Sequence, residues 1–277
     1  MNRTTGIIVA FFAAFTAMVS YARADLLINT LEEPPGSFTD RNGNVTGVTV
    51  DVVREIQRRL GNRAPIRIHP WARTYQNVLT QPNVLAFTAT RTPERETKFH
   101  WIAMVVRNAH SFFVRKGSGI SISGLDDARA LKGIGVLRAS VWEEFLLRNG
   151  FTNLDRASTH EQNLIKFTTG RFDALYASAA VLFQNCKAGG RVDCNGLILA
   201  YTPVRTEAYI IMSKNGTSQN VVNQWKQTAQ AMKDDGTFRQ IAEKWVDRLR
   251  TEDGFHVHYA DGALNLWRRQ PAGPDPR

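Results

Sequence analysis

The chain has 277 residues, 43% of them hydrophobic, with 35 Lys+Arg against 25 Asp+Glu for a net charge of +10. A chain of this size makes one large domain or two smaller ones, each able to bury a core. The basic balance suits an anionic solute or surface, but the cations are scattered among acids without an aromatic-interleaved basic cluster, so no nucleic-acid partner is expected.

Residues 1–24 read as a signal peptide for export. Arg3 supplies a positive start, residues 7–19 an apolar run too short to span a bilayer comfortably, and Ala22-Arg23-Ala24 a small-x-small cleavage pattern. The residue immediately after the predicted cut is Asp25, not cysteine, so a lipid anchor on a first-residue Cys is not expected.

Residues 26–31 form a plausible first strand, and 32–36 and 39–43 are turn material around Phe38. Val48, Val52, Val53, Ile56 and Leu60 then mark one face of a helix stopped by Gly61. Residues 65–69 alternate as a strand, Pro70 breaks it, and 71–79 read as a second helix feeding an apolar strand at 84–87. Strand–helix–strand–helix–strand implies a parallel sheet covered by helices.

A further strand is expected at 111–115, and the Gly/Ser-rich residues 116–123 are expected to carry the crossing into a second lobe. A second α/β series begins with a strand at 133–137 that runs into Ser140, a candidate N-cap with Glu143 three residues on. Helices at 159–167 and 177–184 flank a strand at 172–176. Strands at 197–200 and 209–212, separated by Pro203, mark the return to the first lobe, and helices follow at 219–232 and 238–249. Lobe 1 is therefore expected over 25–114 and 206–250, lobe 2 over 115–205, and a loosely held tail over 251–277. His256 and His258 in that tail are read as solvated, and no metal site, cofactor or catalytic set is expected.

Chemistry concentrates at residues 86–101, AFTATRTPERETKFHW. The strand delivers Thr88, Thr90 and Thr92 to a turn fixed by Pro93, and Arg95 can fold back over the hydroxyls. A guanidinium fork with hydroxyls beside it suits a carboxylate; equally, Arg95 could pair with Glu94 or Glu96 in a surface turn. Arg138–Val141 stands in the same relation to its strand, giving each lobe one anion-suited strand end beside a helix start.

Cys186 and Cys194 flank a Gly-Gly turn and in an oxidising compartment most simply form one local disulfide.

The chain resembles the periplasmic solute-binding proteins of the amino-acid type (bacterial extracellular solute-binding family 3). The resemblance rests on residues 34–61 (PPGSFTDRNGNVTGVTVDVVREIQRRLG), 90–101 (TRTPERETKFHW), 135–151 (GVLRASVWEEFLLRNGF), 170–178 (GRFDALYAS) and 224–245 (QWKQTAQAMKDDGTFRQIAEKW), in the family's order. It implies an α/β fold of two lobes, each a mainly parallel sheet flanked by helices, joined by two hinge crossings. It also implies a monomer in the periplasm that closes on a small carboxylate-bearing solute, amino-acid-like or a related organic acid, and presents it to the membrane permease of an ABC transporter. Carried over residue by residue, it nominates Thr88, Thr90 and Arg95 for the carboxylate, and Ser140 with Arg138 at the second-lobe helix start.

Two departures bear on the solute. The family's first-lobe loop reads aromatic-Pro-Pro-aromatic; here it is Glu33-Pro34-Pro35-Gly36, with Phe38 the nearest substitute ring. The family's ammonium-binding aspartate is replaced by Ser178, and a buried ammonium without an anionic partner costs on the order of several kcal/mol. Trp71 is expected as a cleft wall, Tyr75 less so, Arg73 in solvent and Asp51 in a structural role. Glu33 is expected as an exposed surface glutamate; it is the one candidate acid for an enzyme of cyclohexadienyl-dehydratase type on the same scaffold. A ligand-sensing partner of a membrane receptor is the third class.

Overall fold

A computed structural model describes residues 26–185 and 196–267. The expected signal peptide and both cysteines of the expected disulfide lie outside the described residues. In chain order the elements are β1 (Leu27–Thr30), β2 (Phe38–Thr39), β3 (Val45–Thr46), α1 (Val48–Leu60), β4 (Ile66–Ile68), α2 (Trp71–Thr80) and β5 (Val84–Thr90). A 3₁₀ turn at Pro93–Arg95 leads to β6 (Phe99–Arg115). Next come α3 (Leu125–Arg129), β7 (Ile134–Leu137), α4 (Val141–Arg148), β8 (Leu154–Ala157), α5 (His160–Thr168), β9 (Ala174–Ser178) and α6 (Ala179–Asn185). The chain returns through β10 (Leu197–Ser213) to α7 (Gln219–Asp234), α8 (Thr237–Asp253), β11 (His258–Ala260) and β12 (Ala263–Asn265).

One continuous sheet runs through both lobes in the order β4-β1-β5-β10-β6-β9-β7-β8. β4-β1-β5 and β9-β7-β8 are parallel, while β10 and β6 run antiparallel between them. β6 and β10 are each 17 residues long, so the lobes are joined by two long strands. The sequence splits both: β10 is one strand across Pro203, whose missing N–H is tolerated because the ladder shifts register between Tyr201 and Val204. The crossing expected at 116–123 lies earlier, inside β6, since His110–Val114 already pair with lobe-2 strand β9.

Helices cover both faces of each lobe. In lobe 1, Val48, Val52, Val53 and Ile56 of α1 pack with Val222, Trp225 and Met232 of α7 and Trp245 of α8 over β1, β5 and β6. Gly61 ends α1 at φ 65, the left-handed conformation that a glycine adopts without strain. The opposite face takes α2 through Trp71 and Val78. In lobe 2, α4 covers one face through Val141, Trp142 and Leu146, and Leu164 and Phe167 of α5 the other.

The tail differs from expectation. Beyond α8, β11 and β12 form a hairpin whose second strand joins β6 in parallel at Leu264 and Asn265, and Ala263 and Leu264 are fully buried. Asp51 is structural as expected: its Oδ2 accepts the Trp245 Nε1–H bond at 2.9 Å.

Candidate functional site

The strand ends of β5 and β7 face one another across the lobe junction. β5 is buried and ends in Thr88, at φ 63, and Thr90. Across the junction Ala139 sits at φ 55, immediately before the N-cap of α4. A positive φ is costly for a β-branched residue, so Thr88 is held there by the fold around it.

The turn after β5 puts Arg95 inside the protein, at 1% exposure. Its guanidinium lies 4.7 Å from the Tyr75 ring centroid and 5.9 Å from that of Trp71, a flat aromatic bed that favours a cation. Neither neighbouring glutamate pairs with it: Glu96 takes Arg91 and Glu94 takes Arg148 of lobe 2. Arg95 reaches across the junction, donating from Nε and Nη2 to the two carboxylate oxygens of Glu144 on α4, at 3.1 and 2.6 Å. This is the bidentate fork expected of an arginine that binds carboxylates. Glu144 is itself a third exposed, so the pair is open to solvent on its lobe-2 side.

Ser140 is buried and caps α4, accepting from Glu143 N at 3.2 Å and donating to Leu137 O at 2.6 Å. Trp71 Nε1 donates to Ala139 O at 2.9 Å, a further cross-lobe bond.

Between the lobes, Glu33, Trp71, Thr88, Thr90 and Arg95 on one side meet Leu137, Ser140, Val141 and Trp142 on the other. The gap they enclose is about 10 Å³, room for about one water. Of the sequence-nominated residues, Thr88, Thr90, Arg95, Ser140 and Trp71 converge there, and Tyr75 supports Arg95 from beneath.

Three nominated residues do not. Phe38 packs edge-to-face against Trp245, ring centroids 6.1 Å apart, on the lobe-1 core and not in the gap. Arg138 is exposed and does not line the gap; its backbone N–H donates to Ala157 O beside β8. Ser178 is buried opposite His110, and its Oγ accepts from Ala180 N at 3.2 Å, which turns it to the start of α6.

The residue that sequence reasoning placed in solvent is Glu33. It is 9% exposed and lines the gap. Its turn is knitted from within: Glu33 N donates to Ser37 O at 2.7 Å, and Glu33 O accepts from Gly36 N and Ser37 N. The start of α1 fastens the turn from outside, where Val48 N and Thr49 N donate to Pro35 O and Gly36 O. Gly47, at φ 137, permits this close approach, since a Cβ there would collide with Gly36 O. Burial alone pushes the Glu33 carboxyl up to about 8.

Trp142, Glu144 and Leu31, the last also lining the gap, were missed too. A tryptophan in the first turn of α4 parallels Trp71 in the first turn of α2, and that parallel was the available signal for Trp142. Trp142 stacks on His110, which burial and the nearby His160 hold far below the ordinary imidazole range. Among the described residues no three His, Cys, Asp or Glu side chains converge as a metal site.

The family model for bacterial extracellular solute-binding proteins, family 3, matches residues 26–248. An arginine-binding periplasmic protein of Mannheimia haemolytica is 19% identical over 233 residues, covering 84% of this chain and 95% of the relative. A probable amino-acid ABC transporter-binding protein of Haemophilus influenzae is 22% identical over 212 residues, 76% of this chain and 80% of the relative. The crystal structure of a mutant arginine-binding protein from T. maritima superposes with a TM-score of 0.71 at 21% identity, covering 81% of this chain and 96% of that one.

Proposed function

The chain belongs to the bacterial extracellular solute-binding proteins, family 3, and from that premise we propose that it captures a small carboxylate-bearing solute in the periplasm. It delivers the solute to the permease of an ABC transporter and leaves it chemically unchanged.

One observation carries the reading: a buried arginine at the lobe junction already holds a carboxylate in a two-pronged fork. The partner, Glu144, belongs to the opposite lobe and keeps one edge in water, so it can swing out as the lobes part. A solute carboxylate then takes its place on Arg95, with the Thr90 hydroxyl and the Ser140 backbone N–H beside it. The closed gap is too small for a solute, so entry requires opening, and β6 and β10 are the hinges about which the lobes turn.

The test is native mass spectrometry of the mature protein for a co-purified small molecule, then a thermal-shift screen of carboxylic acids. Arg95→Ala is expected to abolish binding while circular dichroism shows a folded chain. Full affinity in that variant, or conversion of the bound solute to a product of different mass, overturns the proposal.

A further inference from the structure

Which group of the solute is read beside its carboxylate? Three facts bear on this. The family's anionic partner in lobe 2 is absent, because Ser178 is buried and turned to Ala180 N. Among the described residues the one cation lining the gap, Arg95, has its fork filled by a carboxylate. A different carboxyl, that of Glu33, reaches the gap from lobe 1, about nine-tenths buried, and no group among the described residues hydrogen-bonds to it.

A carboxyl about nine-tenths buried without a partner is costly, and the turn that carries it is tied at Ser37, Gly36 and α1. Glu33 also stands where the family resemblance puts a ring, so an apolar wall has been exchanged for a hydrogen-bonding acid. Gly36 cannot restore the second ring: a Cβ there would lie 3.0 Å from Thr88 Cγ2 and 3.2 Å from Glu33 O.

We infer that Glu33 is the specificity residue that receives a protonated nitrogen of the solute, so that both the acceptor for the amine and the clamp for the carboxylate stand on lobe 1. This rests on the carboxylate reading above and narrows it to solutes carrying an amine as well as a carboxylate. A protonated amine gives the Glu33 carboxylate the partner that burial denies it, and the ion pair forms in a water-poor gap where it is strong.

The charged and titratable groups around Glu33 are Arg95, Glu144 beyond it, Glu32 next in sequence, and His69 and His160 in the adjoining 160 Å³ cavity. Glu32 turns outward, its Oε1 accepting from Thr39 N. His160 is buried and held near 4, so at neutral pH it brings no charge. With Glu33 protonated before binding and ionised after it, capture of an ammonium at pH 7 releases about one proton.

The test is isothermal titration calorimetry of the mature protein at pH 7 against the proteinogenic L-amino acids and their 2-hydroxy-acid counterparts, which keep the carboxylate and replace the amine. In the unmodified protein at least one amino acid is expected to bind at least about tenfold more tightly than its hydroxy acid. It should release about one proton, read from buffers of differing ionisation enthalpy. Glu33→Gln should remove both the preference and the proton release while still binding the hydroxy acid; Glu33→Asp, which keeps the charge, should retain part of the preference. An undiminished preference in Glu33→Gln, or tighter binding of hydroxy acids by the unmodified protein, overturns the role of Glu33 and leaves the carboxylate reading standing. Binding of no member of either set overturns both.

Discussion

The two walls of the cleft are built on the same plan, a strand end leading to a turn and a helix start, yet they use their polar groups differently. On lobe 2 the hydroxyls serve their own helices: Ser140 caps α4, and Ser178 binds the second backbone N–H of α6. Lobe 2 reaches across the junction with a backbone carbonyl, that of Ala139, and two charged side chains, Glu144 and Arg148. On lobe 1, Glu33 and Arg95 are buried and aimed into the gap, and neither is used to stabilise its own element. Under the proposed function, recognition chemistry is concentrated on lobe 1 while lobe 2 closes the cleft by contacts with lobe 1. A solute would then dock first on the lobe-1 wall.

The most disruptive way to probe the lobe-1 wall is to give it back the aromatic that its family resemblance leads one to expect. Gly36→Phe forces a ring toward Thr88 Cγ2 and the Glu33 carbonyl, in a turn fastened on both sides. Overpacking of this kind should lower stability by up to about 3 kcal/mol, read as a drop in denaturation midpoint at unchanged m-value. A stable variant with improved solute binding would mean that the wall is not closed by Thr88.

Next in size is a pH effect specific to lobe 1. The unfolded chain ionises Glu33 near 4.5, whereas the folded chain keeps its proton to about pH 8. Between these values the folded state binds more protons, so this contribution to stability is full below about 4.5 and declines as pH rises through 8. Buried His110 and His160 act in the opposite sense, adding stability as pH rises to their unfolded value of 6.5 and no further change above it. From pH 6.5 to 8 the decline due to Glu33 should therefore be visible, about 2 kcal/mol at most. Glu33→Gln should flatten it; an equally steep fall in that variant would place the titrating group elsewhere.

Much of the scaffold was legible and much of the wall was not, for a physical reason. The valine spacing of α1 with Gly61 behind it, and Ser140 with Glu143 ahead of α4, are local signals, and both helices begin where those signals put them. β6 and β10 were broken up because their pairing spans about a hundred residues and absorbs Pro203 through a register shift. The 258–265 hairpin has no periodicity of its own and exists because β6 offers it an edge. Glu33 looks like a solvent-facing loop acid until α1 folds its turn inward, and Glu144 meets Arg95 only when two lobes come together.

On lobe 2 the effects should be smaller and confined to the lobe. Ser140→Ala leaves Glu143 N without its acceptor at the buried start of α4. The expected loss is about 1 kcal/mol in thermal or chemical unfolding. If Ser140 contributes chiefly its backbone N–H to the site, solute affinity should change much less than stability. An affinity loss exceeding the stability loss would assign the hydroxyl itself to the solute and weaken the contrast between the walls.

The smallest effect tests closure alone. Trp71 Nε1 donates to Ala139 O from a ring that is otherwise held by Tyr75 and its own lobe. Trp71→Phe keeps an aromatic surface under Arg95 and removes that one bond between lobes. A single neutral hydrogen bond contributes about 0.5–1.5 kcal/mol, and water can replace the indole as donor to Ala139 O once the lobes part. The change should therefore sit at the low end, about twofold in the open-to-closed ratio, with lobe-1 stability unaltered. Dyes on α2 and α4 would report it as a shift toward longer separation by energy transfer. Because Arg95 with Glu144 and Glu94 with Arg148 still bridge the junction, a collapse of the closed population in Trp71→Phe would show that the indole bond, not the ion pairs, holds the lobes together.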